Sequence, residues 1–383
     1  MGLRLRLAAE AGPVLLICAI GLAVAGWLLT IATGWHIFEQ DPALLILVPV
    51  MLGLKGNIEL TLASRLSTAW HLGQLGDRRS AVRLWLGNLA LVELQSAVVG
   101  GLASLLALAA WVVTGGEVSS RSAVHLLATG VITAAIGGAV LSIVTNIIVV
   151  VSGRFGLNPD HIGGPLVAAV GDIVSLIILM LVASGFSQLS TSTLIVIVIL
   201  GFAALIPLIK VAGIVPSTAR ARIEGWPPIL TAMVMATCAG LLLERSIEVA
   251  GLMVALVPLI NGLGGNAAGI HGSRLCSALH EGSDQQRGVR RTLLLLDILI
   301  LLPMGLIMNA LGLLGDVNGL RLSFSLLVII IIQVGTSLRV ADPLARRAWS
   351  RGRDPDNDVQ PYVTACADML GILCFLIAVM WWM

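Results

Sequence analysis

The sequence is poor in charge, in aromatic residues and in long polar stretches. Only 11% of its 383 residues are charged, 4% are aromatic, and tyrosine occurs once. A net charge of +2 with so few aromatic rings argues against a nucleic-acid-binding protein. No polar stretch exceeds roughly twenty residues, so the sequence predicts no separate soluble domain.

Cysteine is also scarce and scattered. There is no C-x-x-C pair and no spacing typical of metal ligands, so we interpret the five cysteines as small buried hydrophobic residues. They stand at Cys18, Cys238, Cys276, Cys366 and Cys374.

The chain is instead rich in long hydrophobic runs. Hydrophobic residues make up 57% of it and the mean hydropathy is +0.99, which is typical of an all-α polytopic membrane protein. The arginines gather in alternate connections, so we expect a cytoplasmic N-terminus, an external C-terminus and a place in the inner or plasma membrane of the cell. Eleven windows of spanning length are predicted: 13–33, 43–70, 83–113, 123–151, 162–184, 192–213, 227–246, 249–277, 291–313, 322–349 and 360–383.

The chain repeats itself in the same order. "PVMLGLKGNIELTLASRLSTAWH" (49–71) matches "PLINGLGGNAAGIHGSRLCSALH" (258–280), 209 positions later, with 10 of 23 residues identical. "NPDHIGGPLVAAVGD" (158–172) matches "DPDNDVQPYVTACAD" (354–368), 196 positions later, and "EAGP" (10–13) matches "EGWP" (224–227). Self-similarity in a fixed order indicates a duplication.

The duplication predicts two five-helix repeats joined by one extra helix. We assign residues 1–185 to the first half, 186–223 to a linker helix with a cytoplasmic loop, and 224–383 to the second half. Because the linker adds a sixth span, the two halves are expected to be parallel. They would then be related by a pseudo-two-fold axis along the membrane normal, with equivalent helices facing a central path.

Two matched aspartates are the first candidates for chemistry. Asp172 and Asp368 occupy equivalent places in the middle of apolar runs. A carboxylate there costs on the order of 2.5–3.5 kcal/mol, so it normally faces a cavity or a partner. One such residue could be structural, but a matched pair carries a combined charge of −2 and suits a divalent cation. No His or Cys cluster accompanies the pair, which favours Mg²⁺ over zinc or copper, although the residues alone leave monovalent cations open.

A stripe of small and polar residues follows the second span of each half. The glycines are equally consistent with close helix packing or with a path, whereas Asn57 and Asn266 favour the path, with helices broken beside them to free carbonyl groups. Arg65 and Arg274 are predicted to reach the membrane surface, lipid or backbone carbonyls. His36 and His161 are predicted to lie in loops. The stripe consists of Gly53, Gly56, Asn57, Ser64, Thr68 and His71, matched by Gly262, Gly265, Asn266, Ser273, Ser277 and His280.

Four segments carry a resemblance to a known family. "PVMLGLKGNIELTLASRLST", "PLINGLGGNAAGIHGSR", "GLNPDHIGGPLVAAVGD" and "GRDPDNDVQPYVTACADMLG" resemble the transmembrane part of MgtE-type magnesium transporters, and most closely the two-repeat solute carrier family 41 branch. The resemblance covers nearly the whole chain. It implies Mg²⁺ transport by a single-chain equivalent of the family dimer.

The resemblance also implies an ion site. Asp172 and Asp368 correspond to the central ion-binding carboxylate, and Ala168 and Thr364 to positions that line the site. The residues before the conserved prolines are implied as well, at Gly164 and Gln360, although MgtE proteins have asparagine there.

Three hypotheses remain open from the sequence. The first is a transporter of Mg²⁺ in the lipid bilayer; the second is a Na⁺- or H⁺-coupled carrier of another solute that uses the aspartates for coupling. Na⁺ therefore remains a candidate coupling ion under both transporter hypotheses. The third is an intramembrane hydrolase with the aspartates as a dyad; since no second catalytic motif occurs, we expect no enzyme.

Overall fold

A computed structural model describes residues 3–283, 288–315 and 317–382, which form helices without any strand in that part of the chain. Only the backbone is described at residues 3–4, 33, 39, 49, 54–56, 243–249 and 382. The first half contains α1 (Leu3–Thr33), α2 (His36–Gln40), α3 (Ala43–His71), α4 (Arg78–Val113), α5 (Ser120–Arg154) and α6 (Pro159–Ser187). Then follow α7 (Thr191–Ala203), α8 (Leu205–Val211), α9 (Pro216–Glu224), α10 (Trp226–Ala250), α11 (Leu256–Glu281), α12 (Val289–Ala310), α13 (Gly319–Ser350) and α14 (Pro355–Trp382).

The helices agree with the predicted spans. Within the described residues, ten segments are long and apolar enough to cross a membrane, with α7 and α8 counted together as Thr191–Val211. An eleventh results if α9 and the start of α10, bent by 46° against each other, form one span. The prediction of an all-α polytopic membrane protein with about eleven spans is therefore confirmed.

Polar caps set where α6 and α14 begin. The Asn158 side chain accepts a hydrogen bond from the backbone N–H of Asp160 at 2.9 Å, and Pro159 follows in the first turn. In the same way the Asp354 carboxylate accepts from the N–H of Asp356 at 3.1 Å. Because a side-chain cap and a first-turn proline fix the first helical turn, both aspartates that follow are held in defined positions.

Glycines at matched positions end the preceding helices. Gly73 and Gly282, 209 positions apart, have φ of +72° and +67°, and Gly156 and Gly352, 196 positions apart, have φ of +71° and +68°. Only glycine adopts such left-handed conformations without steric cost. Equivalent helices of the two halves therefore end in the same type of turn.

The helices that carry the candidate residues pack together at the centre. α6 packs against α1, α3 and α5, and α14 packs against α10, α11 and α13. Between the halves, α3 packs against α10 and α14, while α11 packs against α1 and α6. α7 and α8 lie at the edge, against α5 and α4. The centre is thus built from α3, α6, α11 and α14.

The prediction that the helices break beside the two asparagines is wrong. α3 and α11 are continuous through Asn57 and Asn266. An unbroken helix satisfies its own backbone groups within the membrane, and small residues let a neighbouring helix approach closely. At Gly262, a Cβ atom would collide with the Leu22 side chain of α1. The polar groups offered to the centre are therefore side chains.

Candidate ion site

A cavity of about 100 Å³ lies between α3, α6, α11 and α14. Both halves contribute to its polar lining, in part from matched positions, and apolar side chains from α1 and α10 close its flanks. The predicted site residues that line it are Gly53, Asn57, Ala168, Asp172, Gly262, Gly265, Asn266, Thr364 and Asp368.

The two carboxylates in the cavity have no protein partner. Asp172 and Asp368 are half-buried, and in the described part of the chain neither makes a hydrogen bond or an ion pair. They are close enough for their charges to repel each other. A Cβ atom at Gly53 would lie 3.4 Å from Asp368 Oδ2, so the glycine leaves space for this carboxylate across the two halves. Two carboxylates without a basic partner in one cavity are suited to a cation, because a bound cation balances their charge.

Amide groups beside the carboxylates are also free. Asn57 and Asn266 are each 1% exposed. The Thr364 hydroxyl contacts Asn57 Oδ1, but Asn57 Nδ2 and both amide atoms of Asn266 have no hydrogen-bond partner among the described residues. A buried polar atom without a partner costs about 1–3 kcal/mol. These unpartnered atoms therefore indicate a ligand or water in the cavity.

Three predicted residues are not part of the described lining. Gln360 is buried and donates to the Gly269 carbonyl at 3.1 Å, while Gly164 faces Leu60, whose Cδ2 would lie 2.8 Å from a Cβ there. Both residues shape the packing beside the cavity. Gly56 lies outside the residues whose side-chain surroundings are described.

Sequence reasoning missed Asn261. This residue lines the cavity, and its Oδ1 has no hydrogen-bond partner within the described ranges of the chain. Its matched position in the first half is Leu52, so a search for residues shared by the halves passes over it. The sequence feature that could have identified Asn261 is its place directly before Gly262, in an otherwise apolar run.

A second polar layer lies between the cavity and the end of the bundle where Glu10 is found. Ser64 donates to Asp356 at 2.5 Å, Ser273 donates to Asp160 at 2.7 Å, and Ser67 donates to Asp160 at 2.6 Å. Ser64 and Ser273 are matched positions, and so are Asp160 and Asp356. Each of the two serines therefore bonds the aspartate of the other half. We call these residues the serine–aspartate layer.

The arginines at this end are buried, contrary to the prediction. Arg65, 7% exposed, donates to Asn88 and Asn357 at 3.2 Å each, and Arg274, 8% exposed, contacts His161. The sequence did not reveal these partners, which come from other helices. The arginines therefore join helices rather than reach the membrane surface.

The two histidines expected in loops both lie in helices. His161 is in the first turn of α6, 2% exposed, with Nδ1 2.6 Å from Glu10 Oε2. His36 begins the short helix α2. For His161, the cap at Asn158 starts the helix earlier than the apolar run suggests.

Comparison with known proteins identifies the family. The family description that matches residues 48–182 and 257–378 is MgtE, divalent cation transporter. The chain belongs to the MgtE family. Human solute carrier family 41 member 2 is 32% identical over 388 residues, which cover 93% of this chain and 67% of the relative. Rat solute carrier family 41 member 3 is 34% identical over 397 residues, which cover 95% of this chain and 85% of the relative.

Membership settles the general activity. This MgtE-family protein is a multi-pass integral membrane transporter of divalent cations and is not an enzyme. The predicted resemblance to the solute carrier family 41 branch is confirmed. The intramembrane hydrolase hypothesis is therefore wrong.

Proposed function

We propose that the protein transports Mg²⁺ along a path between its two halves, with Asp172 and Asp368 as the paired ion-binding carboxylates. The observation that carries this proposal is that both carboxylates line one cavity and lack a basic partner. Their charge of −2 balances one divalent cation without any contribution from outside the cavity.

The chemistry of the lining favours Mg²⁺ among divalent cations. The described lining offers carboxylate, amide and hydroxyl oxygens, and neither histidine nor cysteine is among its residues. Mg²⁺ prefers oxygen ligands and keeps several of its waters, whereas zinc and copper prefer nitrogen and sulfur. At about 30 Å³ per water molecule, the cavity has room for an ion with part of its hydration shell.

A path between the two halves goes with a parallel arrangement of the repeats. We infer two parallel repeats, residues 1–185 and 224–383, with 186–223 as linker, so that one chain equals a dimer of repeats. The exchange of serine–aspartate hydrogen bonds between the halves supports a two-fold relation. So does the contact at 3.5 Å between Thr68 and Ser277, which are matched to each other and would lie beside the axis.

The serine–aspartate layer is the closed end of this path. Thr68, Ser277 and the buried carboxylates of Asp160 and Asp356 lie between the cavity and the Glu10 end, which we assign to the cytoplasm. Ion release to that side requires these hydrogen bonds to separate. The ion bound at Asp172 and Asp368 is thus held on the outer side of a polar barrier.

Flux measurements test this function. In proteoliposomes loaded with a Mg²⁺-sensitive dye, the wild type should carry Mg²⁺, and the double variant Asp172→Asn, Asp368→Asn should lose about tenfold or more of that flux, since 1.4 kcal/mol is a factor of ten. Asp77→Asn, the same change at an exposed helix cap, serves as the matched control and should retain the flux.

Two results would contradict the proposal. Undiminished flux in the double variant removes the two carboxylates from the ion site. Transport of another solute with no Mg²⁺ flux in the wild type favours the coupled carrier instead, and Na⁺ and H⁺ gradients applied to the same vesicles then identify the coupling ion.

A further inference from the structure

A group of three potential metal ligands lies at the Glu10 end, away from the central cavity. His280 of α11 and Asp354 and Asp356 at the start of α14 each offer one ligand atom, and these atoms lie within 4.8 Å of one another. His280 Nε2 is 3.3 Å from Asp354 Oδ1 and 3.9 Å from Asp356 Oδ2. Ligands bound at about 2.1 Å around one tetrahedral metal ion stand about 3.4 Å apart. The spacing therefore fits a shared metal ion after small movements.

The first half has matched positions for these residues, but the side chains at those positions differ. The first half also has a histidine and an aspartate at the positions matched to His280 and Asp356. It has an asparagine at the position matched to Asp354, and a serine at the position matched to the nearby Cys276. Only the second half, then, offers three ligands of the kinds that metals prefer. The matched pairs are His71 with His280, Asn158 with Asp354, Asp160 with Asp356, and Ser67 with Cys276.

Hydrogen bonding also differs between the two buried aspartates. Asp160 Oδ1 accepts from three serine hydroxyls, at 2.6, 2.7 and 3.1 Å, and its Oδ2 lies 3.3 Å from the histidine of its own half. Asp356 Oδ1 accepts from Ser64 at 2.5 Å, with Thr68 and the weakly donating thiol of Cys276 beside the carboxylate. Its Oδ2 is too far from His280 for a hydrogen bond. Asp356 Oδ2 is thus not held by the histidine of its own half at the distance seen for Asp160 Oδ2.

The surroundings let an ion arrive with water. The three residues border a cavity of about 740 Å³ that is also lined by the exposed turn at Gly73 and Gln74. Arg65 lines the same cavity, and in the part of the chain that the structure describes its Nη2 has no hydrogen-bond partner, although the residue is 7% exposed. An unpartnered donor there is placed to bond a water or an anion carried by the metal.

We propose that His280, Asp354 and Asp356 form a second metal site, for a divalent first-row transition metal ion. One imidazole nitrogen and two carboxylates suit Zn²⁺, Co²⁺ or Mn²⁺, whereas Mg²⁺ takes oxygen ligands. The site is separate from the transport cavity, and among the described residues such a group of three ligands occurs in the second half but not at the matched positions of the first. It joins α11 to the first turn of α14, the helix that carries Asp368.

Co²⁺ is the probe that tests the site, because its visible spectrum reports protein ligands. The untagged full-length protein, purified in detergent, is titrated with Co²⁺ in a large excess of Mg²⁺ that occupies oxygen-only sites. We expect one Co²⁺ per chain with a spectrum distinct from the aqueous ion. Asp354→Asn and His280→Gln should each weaken binding by about tenfold or more.

The first half provides matched controls. Asp354→Asn introduces the residue that stands at the matched position 158, and its thermal unfolding in EDTA reports whether the variant is folded. The double change Asn158→Asp, Ser67→Cys copies the second half and should add a second Co²⁺ per chain. Wild-type protein that binds no Co²⁺ in excess Mg²⁺, or equal binding by folded Asp354→Asn, overturns the proposal.

Discussion

Buried asparagines differ in whether their polar atoms are hydrogen-bonded within the fold or left free in the central cavity. With the described residues, Asn266 makes no hydrogen bond through either amide atom. Asn88 is 2% exposed, donates to the Leu84 carbonyl at 2.9 Å and accepts from Arg65 at 3.2 Å. A side chain bonded on both sides holds helices together. One with both atoms free in a cavity is placed for a ligand.

This contrast predicts opposite effects of two alanine substitutions. Asn266→Ala should raise the Mg²⁺ concentration needed for half-maximal flux by about tenfold and leave the unfolding temperature unchanged, because an oxygen ligand is lost but no internal hydrogen bond. Asn88→Ala should lower the unfolding temperature, because Arg65 loses a buried acceptor. Flux titrations and thermal unfolding in detergent measure both. A lowered unfolding temperature with unchanged flux in Asn266→Ala would show a structural role.

Between helices, close approach depends on glycine at particular contacts. α4 and α5 meet at Gly100, where a Cβ atom would lie 2.5 Å from both the Gly130 carbonyl oxygen and Ala134 Cβ. Ser104 of α4 donates across this contact to the Leu126 carbonyl at 3.1 Å. Any side chain at position 100 must therefore separate the two helices.

Gly100→Ala should destabilise the protein by about 1–3 kcal/mol, the usual cost of an overpacked contact. Gly185→Ala is the matched control, because a Cβ atom at Gly185 of α6 would meet nothing within 4 Å. Thermal unfolding of the two variants beside the wild type checks this. Equal unfolding temperatures for both variants would show that the α4–α5 contact adapts freely.

The elements also show what sequence could and could not reveal. Length and hydropathy were enough for the spans, and duplication was enough to single out Asp172 and Asp368 as residues that line one cavity, because both signals depend on residue type and order. The bond from Ser64 to Asp356 joins residues 292 positions apart, and the contact of His161 with Arg274 joins residues 113 apart. A periodic pattern reports which face of a helix is polar but not which helix that face meets, so these partners required the structure.

At the scale of the whole molecule, the parallel arrangement makes a prediction about sides of the membrane. Gln74 and Ser283 are exposed and stand at matched positions directly after α3 and α11. If the halves are parallel, both positions face the same compartment.

Cysteines introduced one at a time at these positions test the arrangement, in a background where the five native cysteines are replaced. A membrane-impermeant maleimide should label Gln74→Cys and Ser283→Cys only from the cytoplasmic side. A cysteine at Ser119, the exposed cap before α5 at the other end of the bundle, should be labelled from the outside. Labelling of the first two from opposite sides would show inverted repeats.

The exchange of hydrogen bonds in the serine–aspartate layer has a consequence for how the two halves evolve. Each buried aspartate of the layer depends on a serine encoded in the other half, so neither repeat contains the full environment of its own carboxylate. A substitution at position 64 alters selection at position 356, and one at 273 alters selection at 160. The duplicated halves are consequently free to diverge at their lipid-facing surfaces, while across this layer they are inherited as one unit.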